Sequence, residues 1–580
     1  MPQSQTLIRG WRIWALLVVF LLGALYISSR LVQLQILEQP IMAQKVENNI
    51  TRTDLILPNR GTIRDARGFL LAGDAQASDL YLDKTHQNDS DIHNVSDLLA
   101  PILSQSPEDL YQRIQGVTAT TILLARRLDN EASDRIKQLR NTWTVLRNSV
   151  WLDPQPRRDY PNGDFASHIL GFADYDNHGQ YGVEQFYDDQ LAGVPGFVTA
   201  ERDSNLVPLP LGDSRSKPAQ DGADLTLTID SAVQYMAEKE LDNSLKLTGA
   251  SSGMILIMDP YSGAIAALAT APRFDPNHFT GIGQDGWDIF KNPAVTDVYE
   301  PGSTFKILAM SAAIDGGAVT PDTTFYCNGY LTVYGWTIHN STSTAYGIES
   351  MKEGLARSDN IALDFAATQL GQDKFYQYMK DFGIGQPTGI DMAGEVQGLF
   401  TTPGDDGWSP INLYTNAFGQ GLATTPIQLV TGISAVANGG NLMKPYIVSS
   451  ISRDGQVIQD NKPTVVRRVL KEDTTQQMKD MMVWAVDTTD AGRLAKVPGY
   501  MTAAKTGTAQ IPGPNGAYDP NGTIASVVGF VPADHPKYVM LIRLDRPTVS
   551  IWGGETASPA FGRLSSQLLQ YWKIPPDEPK

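Results

Sequence analysis

The sequence predicts a mixed α/β (α+β) protein in which an apolar N-terminal helix precedes two folded modules. Three observations lead there. At roughly 150 residues per domain, 580 residues make three or four domains, far more than one core needs. The first thirty residues carry an uncharged apolar run unlike the rest of the chain. Near residue 215 the hydrophobic pattern passes from helices with loops to alternating strands.

Arg9 and Arg12 precede the uncharged run from Ile13 to Ser29, 17 residues with IWALLVVFLLGALYI at its heart. That is the short end of a bilayer span, but Trp11, Trp14 and Tyr26 suit the two interfaces while Arg12 and Arg30 reach outward. A cleaved signal peptide competes for the same segment. It needs small residues before the cut, and Ile27-Ser28-Ser29-Arg30 is a poor set, so an uncleaved anchor over 11–29 is expected. The basic residues with no acid nearby keep residues 1–10 in the cytoplasm by the positive-inside rule and send the rest of the chain outside.

Beyond the anchor the helical pattern continues through Leu31, Leu34 and Leu37 until Pro40 breaks it. Between about 75 and 150 the pattern is helical with loops. One helix is well punctuated, by Ser106 as N-cap, Pro107 at the first helical position, Glu108 and Asp109 in the first turn and Gly116 past the end. From 224 the strands LTLTID, GMILIMDP and AIAALAT follow one another around a Tyr261-Ser262-Gly263 turn. The polar stretch GDSRSKPAQDGAD separates the two regimes and sets the modules at 30–215 and 218–575.

Composition excludes several functions. A formal charge of −17 repels phosphate backbones and argues against nucleic-acid binding. Cys327 is the one cysteine, so no intramolecular disulfide forms, and it is expected as a small buried apolar residue. No Cys-x-x-Cys pair or His-Glu-x-x-His accompanies the seven histidines, so no metal site is expected.

Three clusters carry chemistry. The first is Glu300-Pro301-Gly302-Ser303-Thr304-Phe305-Lys306, ahead of the helical run ILAMSAAID. Residues three apart share a helical face, so Ser303 and Lys306 come within reach, and the positive helix end favours negative charge on Ser303. Ser358-Asp359-Asn360 stands fifty-five residues further on, at the foot of IALDFAATQL. There Ser358 can pass a proton between Lys306 and a leaving amine, and Asn360 can hold Lys306 and a substrate amide. The third, Lys505-Thr506-Gly507-Thr508, closes the strand that begins MTAA. Gly507 lets a substrate backbone approach, Lys505, Thr506 and Thr508 offer donors to a carboxylate, and the backbone amides of Ser303 and Thr508 can form an oxyanion hole. A helix cap, a second cap and a turn are the plain alternatives. Each motif alone is common, whereas all three in this order are not.

Together they resemble the active-site set of the penicillin-recognising serine acyltransferases, which include penicillin-binding proteins and class A β-lactamases. Gly253 to Pro260, Gly419-Gln420-Gly421 and Asn438-Gly439-Gly440 look like the transpeptidase domain. Upstream, Arg60-Gly61-Thr62-Ile63-Arg64-Asp65 with Gly68, and Tyr160-Pro161 with His168 and Glu184, look like the non-catalytic pedestal of class B penicillin-binding proteins. No glycosyltransferase signature of the bifunctional class is found. Val527 to Pro532 with Gly553-Gly554, Pro559 and Phe561 most resembles the cell-division branch, although Ser358-Asp359-Asn360 stands where division enzymes often have Ser-Ser-Asn.

The resemblance implies an elongated pedestal (dimerisation-type) domain and a transpeptidase domain built on an antiparallel sheet flanked by helices. It implies a peptidoglycan D,D-transpeptidase that uses no cofactor, is inhibited by β-lactams and works with a membrane glycan polymerase. In it Ser303 attacks a D-Ala-D-Ala donor, Lys306 is the base, Ser358 the shuttle, and an amine from a neighbouring stem peptide takes the acyl group. A D,D-carboxypeptidase or β-lactamase-type hydrolase would share the first half-reaction, and a non-catalytic β-lactam sensor would stop after it. Rapid hydrolysis needs a second base, for which Glu395 and Asp405-Asp406 are the nearest candidates; Glu395 is expected to be structural. Arg60, Arg64 and Asp65 are expected in an inter-module salt-bridge network or a partner contact, His168 as a packed histidine, and Asp230, Asp259 and Asp391 as turn acceptors.

Overall fold

The structure, a computed structural model, describes residues 10–39, 51–201, 214–280, 284–513 and 517–578. Arg9, the expected break at Pro40 and residues 514–516 lie outside the described residues. The chain divides into two compact units.

One unit comprises 1–58 with 193–221. Its N-terminal helix, Gly10–Val32, continues through the π-helical turn Gln33–Leu37, so the helical pattern outlasts the charged Arg30 as the leucine spacing requires. Residues 11–37 make the one helix among the described residues long and apolar enough to cross a membrane. The unit also holds a three-stranded antiparallel sheet in which Gly196–Glu201 pairs with both Thr51–Ile56 and Ser214–Lys217.

The other unit comprises 59–192 with 222–580. In its N-terminal part the long strand Leu70–Asp83 pairs with Thr121–Leu128 and Val150–Asp159. Helices Asp89–Leu99, Pro107–Gly116 and Asn130–Thr142 are each capped by a side chain, Asn88, Ser106 and Asp129 respectively, that accepts from a first-turn amide. They close over Leu80, Leu82, Val95, Leu110 and Ile114.

A buried ion network ties the base of this part together. Glu184, fully buried, accepts from Arg60 Nε at 2.6 Å and Arg158 Nε at 2.7 Å, and Arg60 also pairs with Asp188 at 2.7 Å. Burial alone would raise the Glu184 pKa, but Arg158 and Arg60 outweigh it and hold the carboxyl below the ordinary glutamate range. Arg60 thus pairs within its own module. Of the three expected residues it is Asp65 that reaches the other module, accepting from the Ser231 amide, while Arg64 donates to the nearby Gly68 carbonyl.

The two modules also share a sheet: Ile63–Arg64 pairs antiparallel with Leu70–Asp83 and parallel with Asp224–Leu227, which pairs in turn with Val448–Arg453. His168 is packed as expected, its ring bonded to the Ile289 carbonyl at 2.8 Å and Thr270 Oγ1 at 2.6 Å, and burial pulls its pKa down to about 4.

The C-terminal part is built on a five-stranded antiparallel sheet of β1 (Ser252–Met258), β2 (Ile265–Ala271), β3 (Ala503–Pro512), β4 (Tyr518–Val531) and β5 (Tyr538–Asp545), in the order β2-β1-β5-β4-β3. The near-continuous apolar run of β1 follows from burial on both faces. Ile255 and Ile257 join a cluster with helices α1 (Ser231–Thr248) and α2 (Gly553–Tyr571), whereas Met254, Leu256 and Met258 join the larger core on the other side. That core surrounds α3 (Lys306–Asp315), all ten of whose residues are buried. A helix apolar all round belongs inside a layer, and here it carries a lysine in with it. Asp230, Asp259 and Asp391 accept backbone amides, from 232 and 233, from 261, and from 447 and 448.

Candidate active site

Ser303 sits in the 3-10 turn Gly302–Thr304 that leads into α3. Left-handed backbone at Gly302 (φ 54°) makes the turn, and the Gly302 amide donates to Gly419 O at 3.0 Å. Half-buried, Ser303 lines a cavity of about 360 Å³ together with Asn360, Thr508, His339, Gln420 and Trp552.

Lys306, one turn on, is fully buried beneath it. Its ammonium donates to Ser358 O at 2.7 Å, Asn360 Oδ1 at 2.7 Å and Ser358 Oγ at 3.3 Å. Ser358 reaches this position because it adopts left-handed backbone, φ 59°, between Met351–Ala356 and α4 (Asn360–Leu370), which Asp359 caps. That conformation costs an L-residue roughly 1–2 kcal/mol, and at a site so placed it aims the hydroxyl. Asn360 is fixed in turn by its Nδ2 on His339 O at 2.8 Å.

From the other side, Lys505 on the edge strand β3 donates to Ser358 Oγ at 3.0 Å. The three motifs therefore meet on one hydroxyl, with a lysine on each side of it. Burial drives the Lys306 pKa well below its ordinary value, and the Lys505 charge lowers it further. Lys505 is pulled down to about 7 by burial.

Alternation along β3 sorts the rest of the motif. A Cβ added at Gly507 would stand 2.6 Å from Ser526 Oγ and 2.9 Å from Thr304 Cγ2, so glycine is demanded here by packing against the serine turn. Thr506 shares the other face with Thr508, its methyl toward Gly554 at the start of α2, and like Lys306, Ser358, Lys505 and Gly507 it stands behind the residues that line the cavity. Thr508 reaches it, and its Oγ1 accepts from the Gly553 amide at 3.1 Å. The Thr508 carbonyl lies 3.2 Å from where a Gly302 Cβ would stand. In a strand the N–H and C=O of one residue point to the same edge, so the Thr508 amide also faces the serine turn.

Two of the three carboxylates considered as second bases, Glu395 and Asp405, are committed to their own loops. Glu395 accepts from the Thr388 amide and hydroxyl at 2.6 Å and from the Gly389 amide at 3.0 Å, and Asp405 accepts from Thr402. Cys327 is buried, its sulfur accepting from Asn340 Nδ2 at 3.3 Å. The role of His339, which anchors Asn360 through its backbone carbonyl, leaves no mark on side-chain chemistry and could not be found in the sequence.

An edge strand facing a buried lysine helix across one serine turn defines a serine acyltransferase of the penicillin-recognising class. Residues 253–566 match the penicillin binding protein transpeptidase domain, and residues 55–227 match the penicillin-binding protein dimerisation domain. The chain belongs to this family, in its class B arrangement of dimerisation and transpeptidase domains. It is 33% identical to stage V sporulation protein D of Bacillus subtilis, over 97% of this chain and 86% of the relative. To the peptidoglycan D,D-transpeptidase FtsI of Escherichia coli it is 28% identical, over 98% and 93%. Among solved structures, a peptidoglycan synthetase from Bifidobacterium adolescentis superposes with a TM-score of 0.72 at 27% identity, covering 91% of this chain and 98% of that one. A penicillin binding protein 3 from Mycobacterium tuberculosis complexed with aztreonam gives 0.69 at 26%, covering 91% and 99%.

Proposed function

We propose that this chain is a peptidoglycan D,D-transpeptidase of the cell-division type, inhibited by β-lactams through the same serine. The observation that carries the reading is the Ser358 hydroxyl held between Lys306 at 3.3 Å and Lys505 at 3.0 Å beneath the Ser303 cavity. Ser303 Oγ attacks the carbonyl of a terminal D-Ala-D-Ala while neutral Lys306 takes its proton. The Ser303 and Thr508 amides hold the oxyanion. Ser358 passes the proton to the departing D-alanine, and Lys505 with the Thr506 and Thr508 hydroxyls holds the donor's carboxylate. Asn360 orients Lys306 and the substrate amide. An amine from a second stem peptide then takes the acyl group.

The engagement of Glu395 and Asp405 within their loops supports a transferase over a hydrolase, because neither is free to activate water. The helix over 11–37 supports a single-pass anchor with its N-terminus inside and the catalytic domain outside. A 30–215 pedestal and a 218–575 catalytic domain, with the glycan supplied by a membrane polymerase or other division proteins, complete the reading. Fluorescent penicillin with intact-mass detection tests it. One adduct on Ser303 lasting many minutes, absent from Ser303→Ala, is expected. Penicillin turnover several times a minute without an added amine would make the chain a hydrolase.

A further inference from the structure

The sheet behind the serine turn holds a buried cation whose donors are not all used. Arg543 on β5 stands opposite Met254 of β1 and Ser526 of β4, and Met254 stands opposite Thr270 of β2. Residues directly opposite one another share a face, so Thr270, Met254 and Arg543 form one row, and all three line a cavity of about 590 Å³. Ser526 continues the row to Gly507, which packs against Thr304. The cavity therefore opens on the face of the sheet that meets the serine turn, yet it shares no lining residue with the Ser303 cavity.

Arg543 is 8% exposed, a depth at which a guanidinium needs acceptors for its donors. Its Nε donates to Asp545 Oδ1 at 2.7 Å, whereas Nη1 is buried with no hydrogen-bond partner among the described residues. The guanidinium carbon lies 4.7 Å from the centre of the Tyr299 ring, which attracts the charge but offers no lone pair to an N–H. The Tyr299 hydroxyl is itself buried without a partner among the described residues. Two donors are thus left without an acceptor at one place.

The charges around the cavity narrow what could supply it. Arg543 and Lys291 face Asp288, Asp297 and Asp545, and His168, with its pKa near 4, is neutral at neutral pH. A bare anion would meet a wall of net negative charge. Lys291 takes up Asp288 at 2.6 Å, and Asp545 is held by Arg543 and by the Ser252 hydroxyl at 2.9 Å. Asp297 is exposed, accepts from Thr296 Oγ1 at 3.1 Å and forms no salt bridge among the described residues. A ligand that brings a carboxylate to Arg543 and an ammonium to Asp297 answers both groups, and the volume is of the size that small-molecule sites have.

We propose that this cavity is a second ligand site that binds a zwitterion, an amino acid or a short free-ended peptide, with its carboxylate on Arg543 and its ammonium on Asp297. The reaction proposed above offers two such molecules, the released D-alanine and an unlinked stem peptide, and the inference rests on that reading for the source of the ligand alone.

The full chain is first converted to its penicilloyl adduct, which fills the Ser303 cavity, and is then titrated by calorimetry with D-alanine and separately with a free-ended stem pentapeptide ending in D-Ala-D-Ala. Saturable binding is expected, and the probe that saturates identifies the source. Arg543→Gln should weaken it at least about tenfold, and Asp297→Asn about threefold. Arg543→Lys keeps the charge beside Asp545 should the glutamine variant fail to fold, and it should still bind several-fold more weakly because the planar N–H edge is lost. N-acetylating the probe removes its ammonium, so the Asp297→Asn effect should vanish while the Arg543 effect stays. No saturable binding of either probe to the adducted chain overturns the proposal, as does binding that the Arg543 and Asp297 variants leave unchanged. Absence of the Ser303 adduct removes the transpeptidase reading instead, and the same titration then tests the cavity on the unmodified chain.

Discussion

Two lysines flank one hydroxyl, and the arrangement works only if they titrate apart. Lys306 must be neutral to accept a proton, and its pKa is driven well below the ordinary lysine value by burial and by Lys505. Lys505 must be charged to hold a carboxylate, and at about 7 it loses that charge as pH rises. The signs are opposite. Acylation by an anionic donor should therefore fade below the Lys306 value and again above about 7, giving a bell in kcat/KM. Lys505→Arg keeps its charge at all working pH, so the alkaline limb should vanish even though the rate falls from the changed fit. A retained alkaline limb in that variant would place the titration elsewhere. The sequence announces both lysines through their motifs. It is silent on Arg543, because a cation inside an apolar strand pattern reads as one polar residue among many until its unused donor is seen.

At the scale of elements, the site was legible wherever local chemistry writes a boundary. Ser106 caps its helix, ILAMSAAID and IALDFAATQL are helices, GMILIMDP and AIAALAT hold strands, and LTLTID is a strand only as far as Leu227. What periodicity could not supply was which edge of β3 faces the cleft, since alternation gives two faces and only the packed neighbours choose between them. The need for Gly507 likewise came only from its packed neighbours, Thr304 and Ser526. Gly507→Ala accordingly should push β3 off the serine turn. The expected cost is about 1–3 kcal/mol of stability by denaturant unfolding, with slower acylation at Ser303. Unchanged acylation and stability would mean that the strand yields at no cost.

Across the whole molecule, one buried carboxylate answers to two arginines. Glu184→Gln keeps the shape but leaves Arg60 and Arg158 without their central counter-charge, which should cost about 3–5 kcal/mol. The same carboxylate has a lowered pKa, so its contribution holds above the ordinary glutamate range and is lost as pH falls through the folded value. Denaturant unfolding at neutral and acid pH should show the gap between wild type and variant narrowing in acid, with the Ser303 adduct still forming below the transition. A gap independent of pH would assign the loss to packing. The shared sheet reaches further. Asp224–Leu227 takes one neighbour from Ile63–Arg64 and the other from Val448–Arg453, so the seam between the modules is a strand pairing. A gene crossover that brought in either part from a distant relative would have to import matching strand faces on both sides of the seam. Mosaic descendants of such a chain should therefore exchange loops around the cavity more readily than they exchange whole modules.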